Sequence, residues 1–233
     1  MSELFYNIDL GENDKDFYLN RDESKHIIKS LRKRVGDSLI FTNGKGLKFT
    51  TCLKKFDGKI SKFQVLNIEK INCNENLHIG ISILKSPTRF ENFLEKVTEI
   101  GVNEITPIIC QRTIKKNINY NRCERILISA MKQSFKFNLP VLNKIQKFED
   151  FIVQRDEKIK LIATCDEYKK QELNNVYSNN TKNLIMIGPE GDFTEKEIKN
   201  SINNKFNLVS LGNSRLRAET AGIYACTAFS LIK

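Results

Sequence analysis

The chain has 233 residues, of which 40% are hydrophobic, and it carries 38 basic and 28 acidic side chains for a net charge of +10. This length supports a sizeable core in one large or two small domains, and no run of about 18 apolar residues predicts a membrane span. The acidic start lacks the apolar stretch of a signal peptide, and the six cysteines are scattered, so we expect a cytoplasmic protein with reduced thiols and no metal site. The basic excess favours a polyanion such as RNA, although AT-rich coding would enrich lysine without any such function.

The first 72 residues have the pattern of short strands joined by tight turns. Strands are predicted at Ser38–Thr42 and at residues 47–53, on either side of a hairpin turn at residues 43–46, and again at residues 63–68. This pattern indicates a small β-barrel.

One short helix interrupts these strands. Asp22 is its expected cap, and its buried side contains three apolar residues, Ile27, Ile28 and Leu31. Four basic side chains lie along the helix or just after it: Lys25, Lys29, Arg32 and Arg34. The first three are spaced i, i+4 and i+7, which predicts one exposed helix face. That face is a candidate for RNA contact, and an ordinary solvated face explains it at least as well.

From about residue 73 the pattern changes to strands that alternate with helices. Strands are predicted at residues 79–84, 104–110, 161–165, 184–187 and 208–211. Helices are predicted at residues 88–100, 122–135, after 194 and at 218–232, with capping boxes formed by Thr88 with Glu91 and by Thr194 with Glu197. The alternation predicts an α/β domain with a parallel sheet, so we divide the chain into domains at residues 1–72 and 73–233.

The loop at residues 187–194 reads Ile-Gly-Pro-Glu-Gly-Asp-Phe-Thr and joins a predicted buried strand to a capped helix. Ligands of open α/β sheets bind at the carboxyl ends of the strands, and Gly188 and Gly191 allow close backbone approach there. If this segment stood alone, an ordinary strand-to-helix turn would be the better interpretation.

A second segment, residues 211–221, reads Leu-Gly-Asn-Ser-Arg-Leu-Arg-Ala-Glu-Thr-Ala and also joins a strand to a helix. Arg215 and Arg217 lie at the start of that helix, where their positive charge opposes the helix dipole. An anionic or electron-rich ligand would explain this placement, and solvated arginines at a charged cap are the alternative.

Together the two segments resemble the SPOUT superfamily of methyltransferases and, within it, the family of ribosomal RNA small subunit methyltransferase E. Three further signatures extend the resemblance over nearly the whole chain. The first contains His26, Leu31-Arg32 and Gly36-Asp37, the second contains Arg89, Phe93, residues 95–102 and Pro107, and the third contains Arg125, Ala130, Gln133-Ser134 and Pro140. Five signatures in the right order make the resemblance highly specific.

The resemblance implies a PUA-like β-barrel followed by a SPOUT domain whose chain forms a trefoil knot. It implies S-adenosylmethionine as the cofactor, with no metal, and N3 of a uridine in 16S ribosomal RNA as the methyl acceptor, in free RNA or in the small subunit. The expected cofactor residues are Ile187, Gly188, Pro189, Glu190, Gly191, Leu211, Gly212, Leu216, Arg217 and Thr220, and the expected RNA contacts are Lys25, Lys29, Arg32, Arg34, Arg89 and Arg215.

A homodimer with cofactor pockets at its interface is also implied. Four small residues of the C-terminal helix would permit close approach of a second copy there: Ala221, Gly222, Ala225 and Ala228.

Methylation of uridine N3 requires that the base leave any pairing and that the N3 proton be removed, which places negative charge on the flanking carbonyl oxygens. We expect Arg217 to stabilise that charge. Glu219 is the second expected catalytic residue. It could orient Arg217, act as the base, or serve only as part of the helix cap.

Some positions depart from the family pattern. Asp192 stands where a second glycine is usual, Ser214 stands where an arginine is common, and Lys136 replaces a frequent arginine. Two other functions therefore stay open. One is a SPOUT methyltransferase that acts on another RNA, and the other is a non-catalytic RNA-binding factor in ribosome assembly.

Overall fold

The computed structural model describes residues 3–72, 76–153, 155–166, 168–178 and 181–232. These residues fall into two compact units, the first drawn from residues 1–73 and 131–139 and the second from residues 74–130 and 140–233. The domain boundary between residues 72 and 73 stays a prediction, and the sequence pattern gave no sign that residues 131–139 join the first unit.

Five strands form the sheet of the first unit: β1 (Leu4–Tyr6), β2 (Asp16–Leu19), β3 (Ser38–Thr42), β4 (Leu47–Phe56) and β5 (Ser61–Lys70). They follow the order β1-β3-β4-β5-β2, and every neighbouring pair is antiparallel except β1 with β3. Alternate side chains point inward, and the interior is rich in aromatic rings: Phe5, Phe17, Phe41, Phe49 and Phe63. The three strands predicted here are confirmed, whereas β1 and β2 were not predicted.

The short helix α1 (Arg21–Lys25) follows β2 directly. Its cap is Asn20, whose side chain accepts hydrogen bonds from the backbone N–H groups of Asp22 and Glu23. The prediction that Asp22 is the cap is therefore wrong, because the helix begins two residues earlier than a cap at Asp22 would allow. The predicted buried side is confirmed, since Ile27 is fully buried and two neighbours pack on the same core, Ile28 and Leu31.

The chain does not continue beyond α1 as a regular α-helix. Residues His26–Ser30 form a π-helical turn, and Arg32 has a left-handed backbone with φ of 55°. The prediction that Lys25, Lys29 and Arg32 share one α-helical face is therefore wrong, because α-helical spacing does not relate them. Lys29 and Arg32 are exposed, as is Arg34, and Lys25 is half-buried.

The described part of the second unit contains eight strands: β6 (Leu77–Ser82), β7 (Glu104–Ile109), β8 (Val141–Leu142), β9 (Gln146–Lys147), β10 (Ile159–Ala163), β11 (Gln171–Glu172), β12 (Asn183–Ile187) and β13 (Asn207–Ser210). Their order is β11-β13-β10-β12-β6-β7-β8, with β9 also paired to β7, and every pair is parallel. The predicted parallel sheet is confirmed. Because parallel strands end at one edge, the loops after β7, β10, β12 and β13 lie at the same edge.

Five helices accompany this sheet: α2 (Pro87–Ile100), α3 (Tyr120–Gln133), α4 (Phe148–Val153), α5 (Glu195–Asn203) and α6 (Ala218–Leu231), with a short 3₁₀ turn at Leu173–Asn175. The apolar side of α2 is buried as predicted, and Gly101 ends it with φ of 126°. The prediction of a capping box formed by Thr88 and Glu91 is wrong. Ser86 occupies the cap position and Pro87 begins the helix, because proline fits the first helical position well.

Helix α6 packs against α2 at one very close approach. A Cβ atom added to Gly222 would lie 2.5 Å from Cε2 of Phe93, so only glycine fits there. The small residues that we expected at a dimer interface are buried within this chain: Ala221, Gly222, Ala225 and Ala228. Tyr224 and Leu231 are the large apolar residues that α6 exposes.

A buried polar network lies near the amino ends of β6 and β7. Nδ1 of His78 is 2.7 Å from Oε1 of Glu157, and its Nε2 is 2.8 Å from Oγ1 of Thr106. Arg155 stacks over the ring of Phe151 and places Nη1 3.8 Å from the same Glu157 oxygen. Burial raises the pKa of Glu157, but the hydrogen bond with His78 and the nearby positive charge outweigh burial and hold that pKa below its ordinary value.

Within the described ranges, no helix is long and apolar enough to cross a membrane, and no cluster of potential ligands could hold a metal ion. The trefoil knot stays a prediction.

Candidate active site

A cavity of about 950 Å³ opens at the carboxyl edge of the parallel sheet. Its wall is built by the loops after β10, β12 and β13, by the start of α6, and by single side chains from α2 and from the loop after β7. Among the described residues that line it, three are acidic and five are basic: Asp166, Glu190 and Asp192, and Arg89, Arg112, Lys170, Arg215 and Arg217. The volume suits a small-molecule ligand, and the charge favours an electron-rich one.

The glycines of the loop after β12 lie against neighbouring side chains. A Cβ atom on Gly188 would sit 3.1 Å from the ring of Phe193, and one on Gly191 would sit 3.3 Å from Cδ of Arg112. Nη1 of Arg112 also donates a hydrogen bond to the carbonyl oxygen of Gly191 at 2.6 Å. Both glycines therefore lie in tight contacts, where an added Cβ atom would force a neighbouring side chain to shift by a few tenths of an ångström.

Two glutamates connect this loop to the loops after β6 and β7. Glu190 accepts a hydrogen bond from the backbone N–H of Lys85 at 2.9 Å. The buried Glu197 accepts one from the backbone N–H of Gln111 at 2.7 Å and another from the backbone N–H of Thr194 at 2.8 Å. The second bond belongs to the predicted capping box of α5, which is confirmed. Neighbouring strand ends are thus joined into one rigid rim.

Asp192 has a left-handed backbone with φ of 63°. Its Oδ2 accepts hydrogen bonds from the backbone N–H of Cys165 at 2.7 Å and from Oγ1 of Thr164 at 3.1 Å, and its Oδ1 accepts one from the backbone N–H of Phe193 at 2.7 Å. Glycine adopts such a φ at no steric cost, and aspartate is among the few other residues that tolerate it. Both carboxylate oxygens are used within the protein.

The second predicted loop, after β13, contains a glycine needed for a different reason. Gly212 has φ of 110°, and a Cβ atom added there would meet nothing within 4 Å. Glycine is therefore needed here for its backbone conformation, and not because a side chain would lack space.

Arg217 follows at the cap position of α6 and lines the cavity. Its side chain forms no ion pair within the described part of the chain, which leaves its guanidinium available to a ligand.

Glu219 is buried in the first turn of α6 and does not line the cavity among the described residues. Its Oε1 lies 3.6 Å from Nε of Arg89, and its Oε2 has no hydrogen-bond partner among those residues. Arg89 reaches into the cavity from α2 with 41% of its side chain exposed. The charged partner of Glu219 is therefore Arg89 and not Arg217.

Comparison with known proteins shows which family the chain belongs to. The model of the RNA methyltransferase domain matches residues 72–230, and that of the RNA methyltransferase PUA domain matches residues 19–66. Ribosomal RNA small subunit methyltransferase E 2 of Borreliella burgdorferi is 31% identical over 89% of this chain and 87% of its own length. The chain belongs to the ribosomal RNA small subunit methyltransferase E family.

Two solved structures show that the family fold extends over the whole chain. A "probable rRNA-methyltransferase" from Porphyromonas gingivalis is 37% identical, with a TM-score of 0.88 over 96% of this chain and 95% of that one. The Neisseria gonorrhoeae ribosomal RNA small subunit methyltransferase E, bound to S-adenosyl methionine, is 26% identical, with a TM-score of 0.88 over 99% of this chain and 98% of that one. The predicted combination of a PUA-like domain with a parallel α/β domain is thereby confirmed.

The structure brings most of the predicted site residues of this family member together. Nine of the ten expected cofactor residues line the cavity: Ile187, Gly188, Pro189, Glu190, Gly191, Leu211, Gly212, Leu216 and Arg217. Thr220 is exposed on α6 and is outside the described lining. Arg89 and Arg215 line the cavity, whereas four expected RNA contacts belong to the first unit: Lys25, Lys29, Arg32 and Arg34. The roles of all these residues stay predictions.

Sequence reasoning missed several residues of the cavity. Arg112, Thr164, Asp166 and Lys170 line it, although no motif contains them. A usable signal was present, because each follows a strand of the parallel sheet within a few residues and such positions meet at one edge.

Proposed function

We propose that this chain transfers a methyl group from S-adenosylmethionine to N3 of a specific uridine in 16S ribosomal RNA. The observation that carries the proposal is the cavity at the carboxyl edge of the parallel sheet, formed by both predicted loops in a member of this family. The Neisseria gonorrhoeae relative supports the cofactor, since its structure holds S-adenosyl methionine.

The residues present fit that cofactor. The cavity is large enough, and Gly188, Gly191, Leu211 and Leu216 line it, so their backbone groups can cradle an adenine and a ribose. A Cβ atom at Gly188 or Gly191 would crowd Phe193 or Arg112, so the loop is closely packed at these two positions. When bound, the cofactor supplies a methyl group on an already activated sulfonium, so no metal is needed to generate an electrophile.

Arg217 is the group that we assign to the reacting base. N3 loses its proton to solvent, which leaves negative charge on the two flanking carbonyl oxygens of uridine, and a guanidinium can donate a hydrogen bond to one of them. Arg217 lines the cavity without an ion pair among the described residues, so its charge is not neutralised in advance. It therefore stabilises the developing anion.

Arg89 and Glu219 act as a pair in this proposal. The buried carboxylate of Glu219 restricts Arg89, which enters the cavity from α2. Arg89 then contacts the RNA strand beside the target base, and Glu219 is the positioning residue for Arg89. Arg215, exposed on the same loop as Arg217, contacts the RNA as well.

The first unit contributes phosphate contacts. Lys29, Arg32 and Arg34 are exposed and Lys25 is half-buried, so their charges are accessible to a strand of RNA. The substrate is the RNA or the assembled small subunit in the cytoplasm, and the enzyme acts as a homodimer. Tyr224 and Leu231, the large apolar residues exposed on α6, support contact with a second copy.

A methylation assay tests the proposal. The pure protein is incubated with methyl-labelled S-adenosylmethionine and small subunits from a strain that lacks its gene, and the product nucleotide is identified by mass spectrometry. We expect one methyl group at N3 of one uridine. Label in another RNA or at another atom would indicate a different methyltransferase, and RNA binding without cofactor binding would indicate a non-catalytic assembly factor.

A further inference from the structure

Two loops that border the cavity are joined by a single side chain. The loop after β10 contains Thr164 and Cys165, and the loop after β12 contains Asp192 and Phe193. The Asp192 carboxylate accepts hydrogen bonds from Thr164 and Cys165 on the first loop and from Phe193 on its own. Because Thr164, Cys165 and Asp192 all line the cavity, this connection is part of its wall.

Asp192 combines an unusual backbone conformation with a side chain that accepts three hydrogen bonds. With φ of 63°, this position suits glycine, which would occupy it without strain. A residue with a side chain carries a cost in backbone conformation here, which contacts of that side chain can offset. The three hydrogen bonds provide that compensation, and two of the donors are backbone N–H groups that have no other acceptor among the described residues.

We propose that Asp192 is a positioning residue that holds the β10 and β12 loops in their cofactor-binding conformation before the cofactor arrives. This inference rests on the proposed use of S-adenosylmethionine. Both Asp192 oxygens accept hydrogen bonds from the protein, so in this proposal the carboxylate acts on the ligand through the loops that it joins. A pre-formed site loses less conformational entropy on binding, so the carboxylate raises cofactor affinity.

Three variants of this residue separate the carboxylate from the backbone conformation. Asp192→Gly keeps the left-handed φ without strain and removes all three hydrogen bonds that the carboxylate accepts. Asp192→Asn retains one oxygen acceptor, so at least one of the two N–H groups loses its partner. Asp192→Ala removes the carboxylate and adds backbone strain. A matched control is Glu195→Gln, which removes the same charge three residues away at an exposed position in α5.

The measurements are calorimetric dissociation constants for S-adenosylmethionine and its demethylated product, together with turnover at saturating cofactor. We expect Asp192→Gly to weaken cofactor binding by about tenfold or more, the scale for loss of charge-assisted hydrogen bonds, while saturated turnover changes less than threefold. The cofactor dissociation constant of Asp192→Asn should lie between that of Asp192→Gly and that of Glu195→Gln. The constant of Glu195→Gln should equal that of the unaltered protein. Hydrogen exchange at the Cys165 and Phe193 amides should accelerate in the cofactor-free Asp192→Gly protein.

The failures are distinguishable. If the unaltered protein binds no S-adenosylmethionine, the proposed function fails. If that protein binds the cofactor and Asp192→Gly binds it equally well, with a lower melting temperature only, the carboxylate merely stabilises the fold and the positioning role is overturned. Equal amide exchange in the two cofactor-free proteins would overturn it as well.

Discussion

Arg89 in the first turn of α2 and Glu219 in the first turn of α6 form an ion pair at the cavity, with 3.6 Å between Nε and Oε1. The carboxylate is buried, whereas the guanidinium lines the cavity. A buried carboxylate needs a charged or hydrogen-bonded partner, so Glu219 and Arg89 depend on each other. The two helices thereby present one oriented cation to the ligand.

Breaking this pair should impair catalysis in a non-additive way. We expect Arg89→Ala and Glu219→Gln each to lower kcat/KM by about tenfold to a hundredfold, and the double variant to be little worse than either, because both changes remove the same oriented cation. The control is the pair of the half-buried Glu91 with the exposed Arg122, which also involves α2 and lies outside the cavity lining. Glu91→Gln with Arg122→Gln should leave kcat/KM nearly unchanged.

The pH profile separates positioning from proton transfer at Glu219. If Glu219 positions Arg89, the Glu219→Gln variant keeps the shape of the pH–rate profile and loses rate at every pH. Loss of the acidic limb alone would mean that Glu219 is the general base.

Arg217→Ala should lower turnover by about a hundredfold or more, the usual scale for removing one preorganised donor to a developing anion. Cofactor affinity should fall much less, and Arg217→Lys should restore only part of the rate because an ammonium cannot reproduce the planar fork. Turnover and cofactor binding are measured on one preparation. A variant that loses cofactor affinity and thermal stability together, with normal saturated turnover, would show that Arg217 only braces the loop.

The basic residues near α1 should act through phosphate contacts. Replacing Lys25, Lys29, Arg32 and Arg34 by alanine should weaken RNA binding for all sequences and flatten its salt dependence by roughly one counterion per lost contact. Affinity is measured across a salt series, beside a variant that loses four other exposed lysines: Lys54, Lys55, Lys158 and Lys182. An unaltered salt slope in the first variant would mean that these charges are merely solvated.

Glu157 should give a pH-dependent contribution to stability. Its pKa is lower in the folded protein than its ordinary value of about 4.3, so it stabilises the fold above that pH, and this contribution is lost as pH falls through the folded pKa. Glu157→Gln should therefore cost about 2 kcal/mol at pH 7, as for a hydrogen bond to a charged group. Urea unfolding should show a smaller difference between the two proteins near pH 3, and an equal difference at both pH values would contradict this account.

Any side chain at position 222 should destabilise the fold. We expect Gly222→Ala to destabilise the fold by about 1–3 kcal/mol, because its Cβ would overlap the ring of Phe93. Phe93→Leu should relieve part of that cost when combined with it. Thermal unfolding of the two single variants and the double variant measures the coupling, and strictly additive losses would place the strain elsewhere.

Regular periodicity let the sequence predict most of the sheet and the helices α2, α3, α5 and α6. It failed where local chemistry competes with periodicity. Asn20 caps α1 although Asp22 is an equally good candidate type, and Ser86 precedes a proline that starts α2 ahead of Thr88. Three short elements, β1, β2 and α4, carry too few residues to show a period.

The residues of the site also divide into those that the sequence could predict and those that it could not. Gly188, Gly191 and Arg217 belong to contiguous motifs, so the sequence could predict their grouping. Arg112 follows the predicted strand β7, which places it at the carboxyl edge, but its contact with Gly191 depends on the order of the strands, which no local pattern encodes. The pairing of Glu219 with Arg89, 130 positions earlier, likewise depends on the packing of α6 on α2.

The cavity draws its wall from chain segments between Arg89 and Ala221. Such contacts are long-range in sequence, so the pocket is complete only once the sheet has brought the strand ends together. A ribosome that has not yet released residues 218–221 carries a nascent chain without a finished pocket. Cofactor binding to the nascent chain therefore requires that the chain has emerged at least as far as residue 221.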